Sequence, residues 1–200
     1  MKIGILGGGN VGGALGLSWT RQGHDVFYGV RNPESSALKG TAGSPEEAVE
    51  FGEVVVNALP WPATQGVLSG LNLAGKVLLD CSNPLKADFS GLEVGTDTSG
   101  GELVAGWARG ARVVKIFNTT GYGNMEDPVY NGAAIPMFYC GDDADAKKTA
   151  AALARDTGFD PIDAGPLSNS RLLEPYAMLW IWMAIKGGMG REFAFTLLKR

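Results

Sequence analysis

The sequence predicts an α/β fold: a doubly wound parallel sheet with a small C-terminal α/β extension. Three observations carry that expectation. Short, nearly continuous apolar runs alternate with segments of helical spacing, the pattern of strands buried on both faces. Seven of the first sixteen residues are glycine, and they lie around the first strand and at the start of the first helix. After about residue 125 the alternation loosens.

Residues 2–6 read as a short buried strand. Val11, Leu15, Leu17 and Trp19 then fit a helix ending near Gly23. Residues 25–30 are the second strand. Between Arg31 and Ser44 there is room for a turn or two of helix and an abbreviated strand, not for a full crossover. Ser44-Pro45-Glu46-Glu47 opens a helix, with Ser44 as N-cap, Pro45 in the first turn and Glu47 completing a capping box. Residues 53–59, centred on Val54-Val55-Val56, form the next strand and are closed by Pro60-Trp61-Pro62. Residues 76–81 form another, stopped by Ser82-Asn83-Pro84. Residues 85–98 read as loop. Ser99 and Glu102 supply a second capping box, for a helix ending around Gly110. Residues 112–117 are a strand closed by Asn118-Thr119-Thr120-Gly121. In the extension, residues 134–140 and 160–163 read as strands and 143–156 as an Ala-rich helix. Residues 169–186 form a long helix carrying Tyr176, Trp180 and Trp182, and residues 192–198 close the chain. The division falls between a domain at 1–125 and a smaller one at 126–200.

Composition narrows the chemistry. Glycine makes up 30 of 200 residues, about twice the ~7% of average usage. The glycines lack a three-residue period, which excludes collagen. An apolar content of 45% with a net charge of −4 excludes disorder. Scattered Lys and Arg on an acidic chain argue against nucleic acid as a partner. Two cysteines and one histidine make neither a disulfide framework nor a metal centre. No signal-peptide pattern or ~20-residue apolar span is visible, so a soluble cytoplasmic protein without a membrane partner is expected.

Gly7-x-Gly9-x-x-Gly12 is the main chemical signal, and it has the strand before it and the helix after it that a dinucleotide-binding fingerprint requires. Gly7 allows the tight turn, Gly9 lets the backbone approach a pyrophosphate, and Gly12 lets helix and strand pack closely. Gly8 lies in the same turn and is assigned to the cofactor with Gly7, Gly9 and Gly12, and the helix N-terminus favours an anion. This is the Rossmann-type arrangement. Where an acidic residue would meet a ribose 2′-hydroxyl, the chain has Arg31, which suits the 2′-phosphate of NADP(H). Strand-end loops at Leu59-Pro60-Trp61, Ser82-Asn83-Pro84 and Asn118-Thr119-Thr120 are candidates for the ribose and nicotinamide, although each also reads as an ordinary turn. Leu59, Pro60, Asn83 and Asn118 are assigned to the cofactor.

Several segments together resemble the NADP oxidoreductases dependent on the deazaflavin coenzyme F-420. They are residues 6–12, Pro60-Trp61, Val113-Val114-Lys115-Ile116-Phe117-Asn118-Thr119 and Cys140-Gly141-Asp142-Asp143 with Lys147-Lys148. Residues 163–174 are the most distinctive of all. The resemblance implies a dinucleotide fold that binds NADP through Gly9, Asn10, Val11 and Arg31, with a C-terminal part closing a pocket for an isoalloxazine-like ring. Trp61, Thr119, Thr120 and Gly188-Met189-Gly190 would line that pocket. The chain departs from the family in Val30 before Arg31, and in Thr119-Thr120-Gly121-Tyr122 where an Ile-Pro pair is usual. The implied acceptor is therefore of deazaflavin (F-420) or flavin type.

No catalytic acid, base or metal set stands out. His24 is expected to cap the preceding helix, and Cys81 and Cys140 to be buried and inert. Hydride exchange between a nicotinamide and a flavin-like ring needs mainly stacking at close range, which a site of Gly, Asn, Thr and Trp supplies. The competing expectations are an imine or small-carbonyl reductase, and a redox sensor that binds NADP(H) without turnover. The run 177–183 is apolar all round, which predicts a helix buried on several sides and a homodimer.

Overall fold

The computed structural model describes residues 1–35, 38, 40–198 and 200, the side chain of Ser35 excepted. Its core is an eight-stranded sheet. The strands are β1 (Lys2–Leu6), β2 (Asp25–Gly29), β3 (Thr41–Gly43), β4 (Val54–Asn57), β5 (Val77–Asp80), β6 (Arg112–Lys115), β9 (Pro136–Gly141) and β10 (Asp160–Asp163). A separate hairpin pairs β7 (Val129–Tyr130) with β8 (Ala133–Ala134). The sheet order is β10-β9-β6-β5-β4-β1-β2-β3. Every pairing in the large sheet is parallel except β6 with β9. The chain leaves β1 toward one edge through β2 and β3, then returns to β4 on the other side of β1. The order reverses there, and a crevice opens beyond the strands' carboxyl ends.

The helices are α1 (Asn10–Arg21), α2 (Pro45–Phe51), α3 (Trp61–Leu68), α4 (Gly100–Trp107), α5 (Tyr122–Glu126), α6 (Ala144–Asp156) and α7 (Ser170–Ile185). They cover both faces. Val54 and Val56 join one apolar cluster with Ala14, Leu15 and Trp19 of α1 and Ala150 and Leu153 of α6. Val55 joins the other cluster, with Ala48 of α2, Leu68 of α3 and Val104 of α4. The period-two alternation of one strand thus feeds both layers. Trp19 is fully buried, and its indole N–H donates to the Leu153 carbonyl at 3.0 Å, locking α1 to α6.

The strands predicted at 2–6 and 160–163 are found as such, those at 25–30, 53–59, 76–81 and 112–117 are shorter, and 134–140 divides between β8 and β9. A single 3-10 turn (Pro33–Ser35) and β3 fill the lean connection, and Ser44 and Glu47 form the expected reciprocal capping box. Some expectations need correcting. Pro60-Trp61-Pro62 not only closes a strand but starts α3, since proline is tolerated in a first helical turn. The second capping box is half formed: the Ser99 hydroxyl accepts from the Glu102 N–H, while the Glu102 carboxylate takes the Ser99 hydroxyl and Arg171. His24 caps α1 through its backbone, whose N–H donates to the Trp19 carbonyl at 3.0 Å, while its ring points to another helix. Its Nε2 lies 3.0 Å from the Asp156 carboxylate, joining the ends of α1 and α6.

Apart from the β7–β8 hairpin, the C-terminal strands do not form a sheet of their own. β9 pairs with β6 and carries β10 in parallel, so residues 136–163 extend the sheet by two strands. Residues 192–198 form neither helix nor strand. α7 is buried on one side only, through Leu173, Glu174, Ala177, Trp180 and Ala184, where burial on several sides was expected. Among the described residues no helix is long and apolar enough to cross a membrane.

Candidate functional site

The crevice at the carboxyl ends of the strands holds two adjoining hollows. The first, about 620 Å³, lies between the glycine-rich turn and the end of β2, and is bordered by Gly7, Gly8, Val30, Arg31, Ser44, Pro45, Leu59 and Pro60. The second, about 310 Å³, lies over β4, β5 and β6, and is bordered by Asn10, Val11, Trp61, Ser82, Asn83, Asn118, Thr120 and Tyr122, with Trp180 and Ile181 of α7. Leu59 and Pro60 border both. The two hollows adjoin at Leu59 and Pro60 and together make up a trough between Arg31 and Asn118.

The backbone shapes the first part. Gly7 has φ +100° and donates its N–H to the Gly29 carbonyl at 3.0 Å, a left-handed turn that only glycine adopts without strain. A Cβ on Gly12 would collide with the Gly7 carbonyl oxygen, so glycine there sets how closely α1 approaches the turn. A Cβ on Gly9 would meet nothing within 4 Å and would project into the space above the helix start. α1 begins without a side-chain cap, which leaves its first N–H groups free to meet an anion. Arg31 is exposed at the rim and is in no ion pair among the described residues.

Aromatic and aliphatic groups wall the second part. Asn83 Nδ2 donates to the Asn118 carbonyl at 2.8 Å and Asn118 Nδ2 to Asn83 Oδ1 at 3.0 Å, which ties the loop after β5 to the loop after β6. Trp61 donates to Glu93 at 3.0 Å and lies 5.3 Å from the Trp107 ring. Trp180 donates to the Phe193 carbonyl at 3.0 Å and stacks on the Phe193 ring at 5.1 Å. Cys81 borders this hollow, but burial, reinforced by the neighbouring Asp80 carboxylate, pushes its thiol well above the ordinary range. Burial likewise raises Cys140, to about 11. Both stay protonated and inert at neutral pH.

Of the residues singled out from sequence, Gly7, Gly8, Asn10, Val11, Arg31, Leu59, Pro60, Trp61, Asn83, Asn118 and Thr120 border the trough, and Gly9 stands at its helix start. Gly12 is buried behind the turn. Thr119 is buried and its hydroxyl lies 3.7 Å from Met137 Sδ, so it does not face the hollow. Gly188-Met189-Gly190 forms an exposed turn between Ile185 and Arg191; those two flanking residues border the hollow, and the turn itself does not.

Two features escaped the sequence reading. Tyr122 brings a phenol to the second hollow. Beneath the floor, Lys115 is fully buried, with its Nζ 2.6 Å from Asp80 Oδ2, 2.9 Å from Glu174 Oε1 and 2.8 Å from the Ser82 carbonyl oxygen. Burial alone would lower its pKa, but the two carboxylates outweigh it and hold the ammonium above its ordinary value. Glu174 also accepts the N–H groups of Gly100 and Gly101, at 2.9 Å each. The triad fixes the Ser82-Asn83 loop to α4 and α7. Its sequence signal was an acid and a base facing each other in neighbouring apolar strands, Asp80 opposite Lys115.

Parallel sheet, reversed strand order and glycine cradle define a Rossmann-type dinucleotide-binding protein. Comparison with known proteins narrows that class. The family described as NADP oxidoreductase, coenzyme F-420-dependent, matches residues 2–84. A crystal structure from Arthrobacter sp. FB24, assigned as an F-420-dependent NADP reductase, is 30% identical with a TM-score of 0.88, and the match covers 100% of both chains. A hypothetical protein from Sinorhizobium meliloti is 25% identical with a TM-score of 0.79, over 100% of this chain and 96% of that one. The chain belongs to the coenzyme F-420-dependent NADP oxidoreductase family. It is also 31% identical over 188 residues to metalloreductase STEAP3 of Rattus norvegicus, covering 90% of this chain and 38% of that protein. The chain thus spans about two-fifths of the length of that curated relative.

Proposed function

We propose that this chain catalyses hydride transfer between NADP(H) and an acceptor ring of the deazaflavin (F-420) or flavin type, in the cytoplasm. The observation that carries this is that a phosphate-suited cradle at Gly7–Asn10 adjoins an aromatic-walled hollow at Asn118, the two sharing Leu59 and Pro60. The residues present fit NADP(H). The α1 N-terminus and the open face at Gly9 suit a pyrophosphate, and Arg31 suits a 2′-phosphate. Bound there, the cofactor supplies a hydride from its nicotinamide; Asn83 and Asn118 hold the floor, and Trp61 and Trp180 exclude water.

Likeness to a metalloreductase supports a ring acceptor. A nicotinamide gives up two electrons at once whereas a metal ion takes one at a time, so a flavin-type ring is the natural go-between. Stopped-flow mixing of NADPH with coenzyme F-420 and with FMN is expected to bleach at least one of them. No bleaching of either overturns the reading. In the same assay Arg31→Ala is expected to raise the KM for NADPH about 10- to 100-fold and leave that for NADH unchanged, the worth of a charge-assisted contact. Equal affinities for NADPH and NADH in the parent protein would remove the 2′-phosphate assignment.

Tyr122 favours a second reading, because its phenol is the proton donor that an imine or small-carbonyl reductase needs. Turnover of a cyclic imine that is abolished by Tyr122→Phe would select that reading.

We also propose that the protein pairs with a second copy through α7. Leu172, Leu179, Trp182, Ile185 and, just beyond the helix, Met189 are all exposed, with the exposed Lys186 one turn from Trp182. An apolar patch of this kind can meet its own copy under two-fold rotation. These side chains expose on the order of 500 Å², so a symmetric pair would bury on the order of 1,000 Å², the threshold for a specific interface. Trp182→Glu is expected to turn a sedimenting dimer into a monomer; a wild-type monomer at micromolar concentration overturns the pairing.

A further inference from the structure

Among the described residues, Arg191 is the one charged residue bordering the aromatic hollow. Its guanidinium carbon lies 5.6 Å from the centre of the Tyr122 ring, and Nη1 donates to the Tyr122 hydroxyl at 3.3 Å. Among the described residues no carboxylate pairs with it, so its charge is not neutralised. Its place in the chain is also specific. Gly188 and Gly190 have φ +72° and +74°, giving a turn that brings the chain from the end of α7 back to the hollow. Just beyond, the Phe193 carbonyl accepts from both Trp180 Nε1 and Asn124 Nδ2, at 3.0 Å each, and Phe193 stacks on Trp180. Arg191 is thus held at the rim by a clamped segment and does not hang from a loose tail.

We propose that Arg191 is the anion subsite for the acceptor and selects a ring compound that carries or acquires negative charge beside the hollow. The assignment rests on the ring-acceptor reading given above. A neutral flavin-type ring that gains a hydride gains one negative charge, while the nicotinamide that lost it becomes cationic. A guanidinium facing the acceptor stabilises the new charge without any proton transfer, in a hollow that otherwise offers only aromatic, aliphatic and neutral polar groups. An acidic tail on the acceptor, such as a phosphate, would present the same charge to the same group.

The test measures binding, so that it stands apart from turnover. Oxidised and reduced FMN and riboflavin are titrated against the wild type, Arg191→Gln and Arg191→Lys, with quenching of tryptophan fluorescence as the signal. If Arg191 meets a phosphate tail, the wild type binds FMN more tightly than riboflavin, and Arg191→Gln removes the difference, with a loss of about 10- to 100-fold for FMN. If it meets the ring, Arg191→Gln weakens reduced riboflavin by a similar factor and leaves the oxidised form unchanged. Arg191→Lys recovers part of the affinity in either case. Unchanged binding of every form by Arg191→Gln, or no flavin binding by the wild type, overturns the subsite. Arg191 is exposed, so NADPH affinity and melting temperature are expected to stay at wild-type values and serve as controls. Arg191-dependent flavin binding without NADPH oxidation would uphold the subsite while overturning the hydride-transfer reading.

Discussion

Lys115→Met is expected to destabilise the protein by about 3–5 kcal/mol, the cost of breaking a buried ion pair from one side. Methionine is close to lysine in length, so little cavity is left. What is lost is charge compensation. Lys115 Nζ lies 2.6 Å from Asp80 and 2.9 Å from Glu174, and all three side chains are buried. Without the ammonium, two carboxylates would share a dry interior. Both retain some support: Asp80 accepts from Asn57 at 2.8 Å and from the Ser82 hydroxyl at 2.7 Å, and Glu174 accepts the two N–H groups that open α4. That support makes global unfolding at room temperature avoidable and the loss measurable by urea denaturation. Adding Asp80→Asn and Glu174→Gln to Lys115→Met removes the stranded charges and is expected to recover more than half of the loss. A single-variant loss below about 1 kcal/mol would show that the three groups are not coupled as their geometry implies. The loss should also reach the crevice. Lys115 holds the Ser82 carbonyl, and the next residue is Asn83, half of the pair that closes the floor.

The triad also shows where sequence reading stops. The central strands were legible because each is an apolar run with clear terminators; Val54-Val55-Val56 can be read from composition alone. The crevice was legible because a strand, a glycine turn and a helix in that order place an anion site by backbone geometry, without knowledge of any side-chain contact. Lys115 sits within the run Val113-Val114-Lys115-Ile116, where a lone lysine gives no local sign of its partners. Those partners lie 35 residues before it, at Asp80, and 59 after it, at Glu174, and only strand register and the docking of α7 bring them together. α3 was missed for a local reason: Pro62 reads equally as a terminator and as a first-turn residue. α5 spans five residues, too few for a period. Gly188-Met189-Gly190 was assigned to the pocket by family resemblance, but the direction in which α7 ends places the turn outside and puts Ile185 and Arg191 at the rim.

Gly9→Ala and Gly12→Ala are expected to separate nucleotide binding from folding, although the two positions belong to one motif. At Gly12 an added methyl would strike the Gly7 carbonyl oxygen, a backbone atom that cannot swing aside. α1 would have to lift from the turn, disturbing the contacts of Ala14, Leu15 and Trp19 with the sheet. A loss of about 1–3 kcal/mol is expected, as for other overpacked sites, with weaker NADPH binding as a consequence. At Gly9 the same methyl meets nothing within 4 Å, so the melting temperature should stay within about 2 °C of wild type. The methyl would nevertheless occupy the space that a pyrophosphate needs over the α1 N-terminus. NADPH affinity is therefore expected to fall at least tenfold, about 1.4 kcal/mol, measured by fluorescence titration. NADH should suffer equally, because the pyrophosphate is common to both, whereas Arg31→Ala affects NADPH alone. Unchanged NADPH affinity in Gly9→Ala would mean that the glycine turn is a structural feature only, and that the nucleotide site lies elsewhere along the sheet.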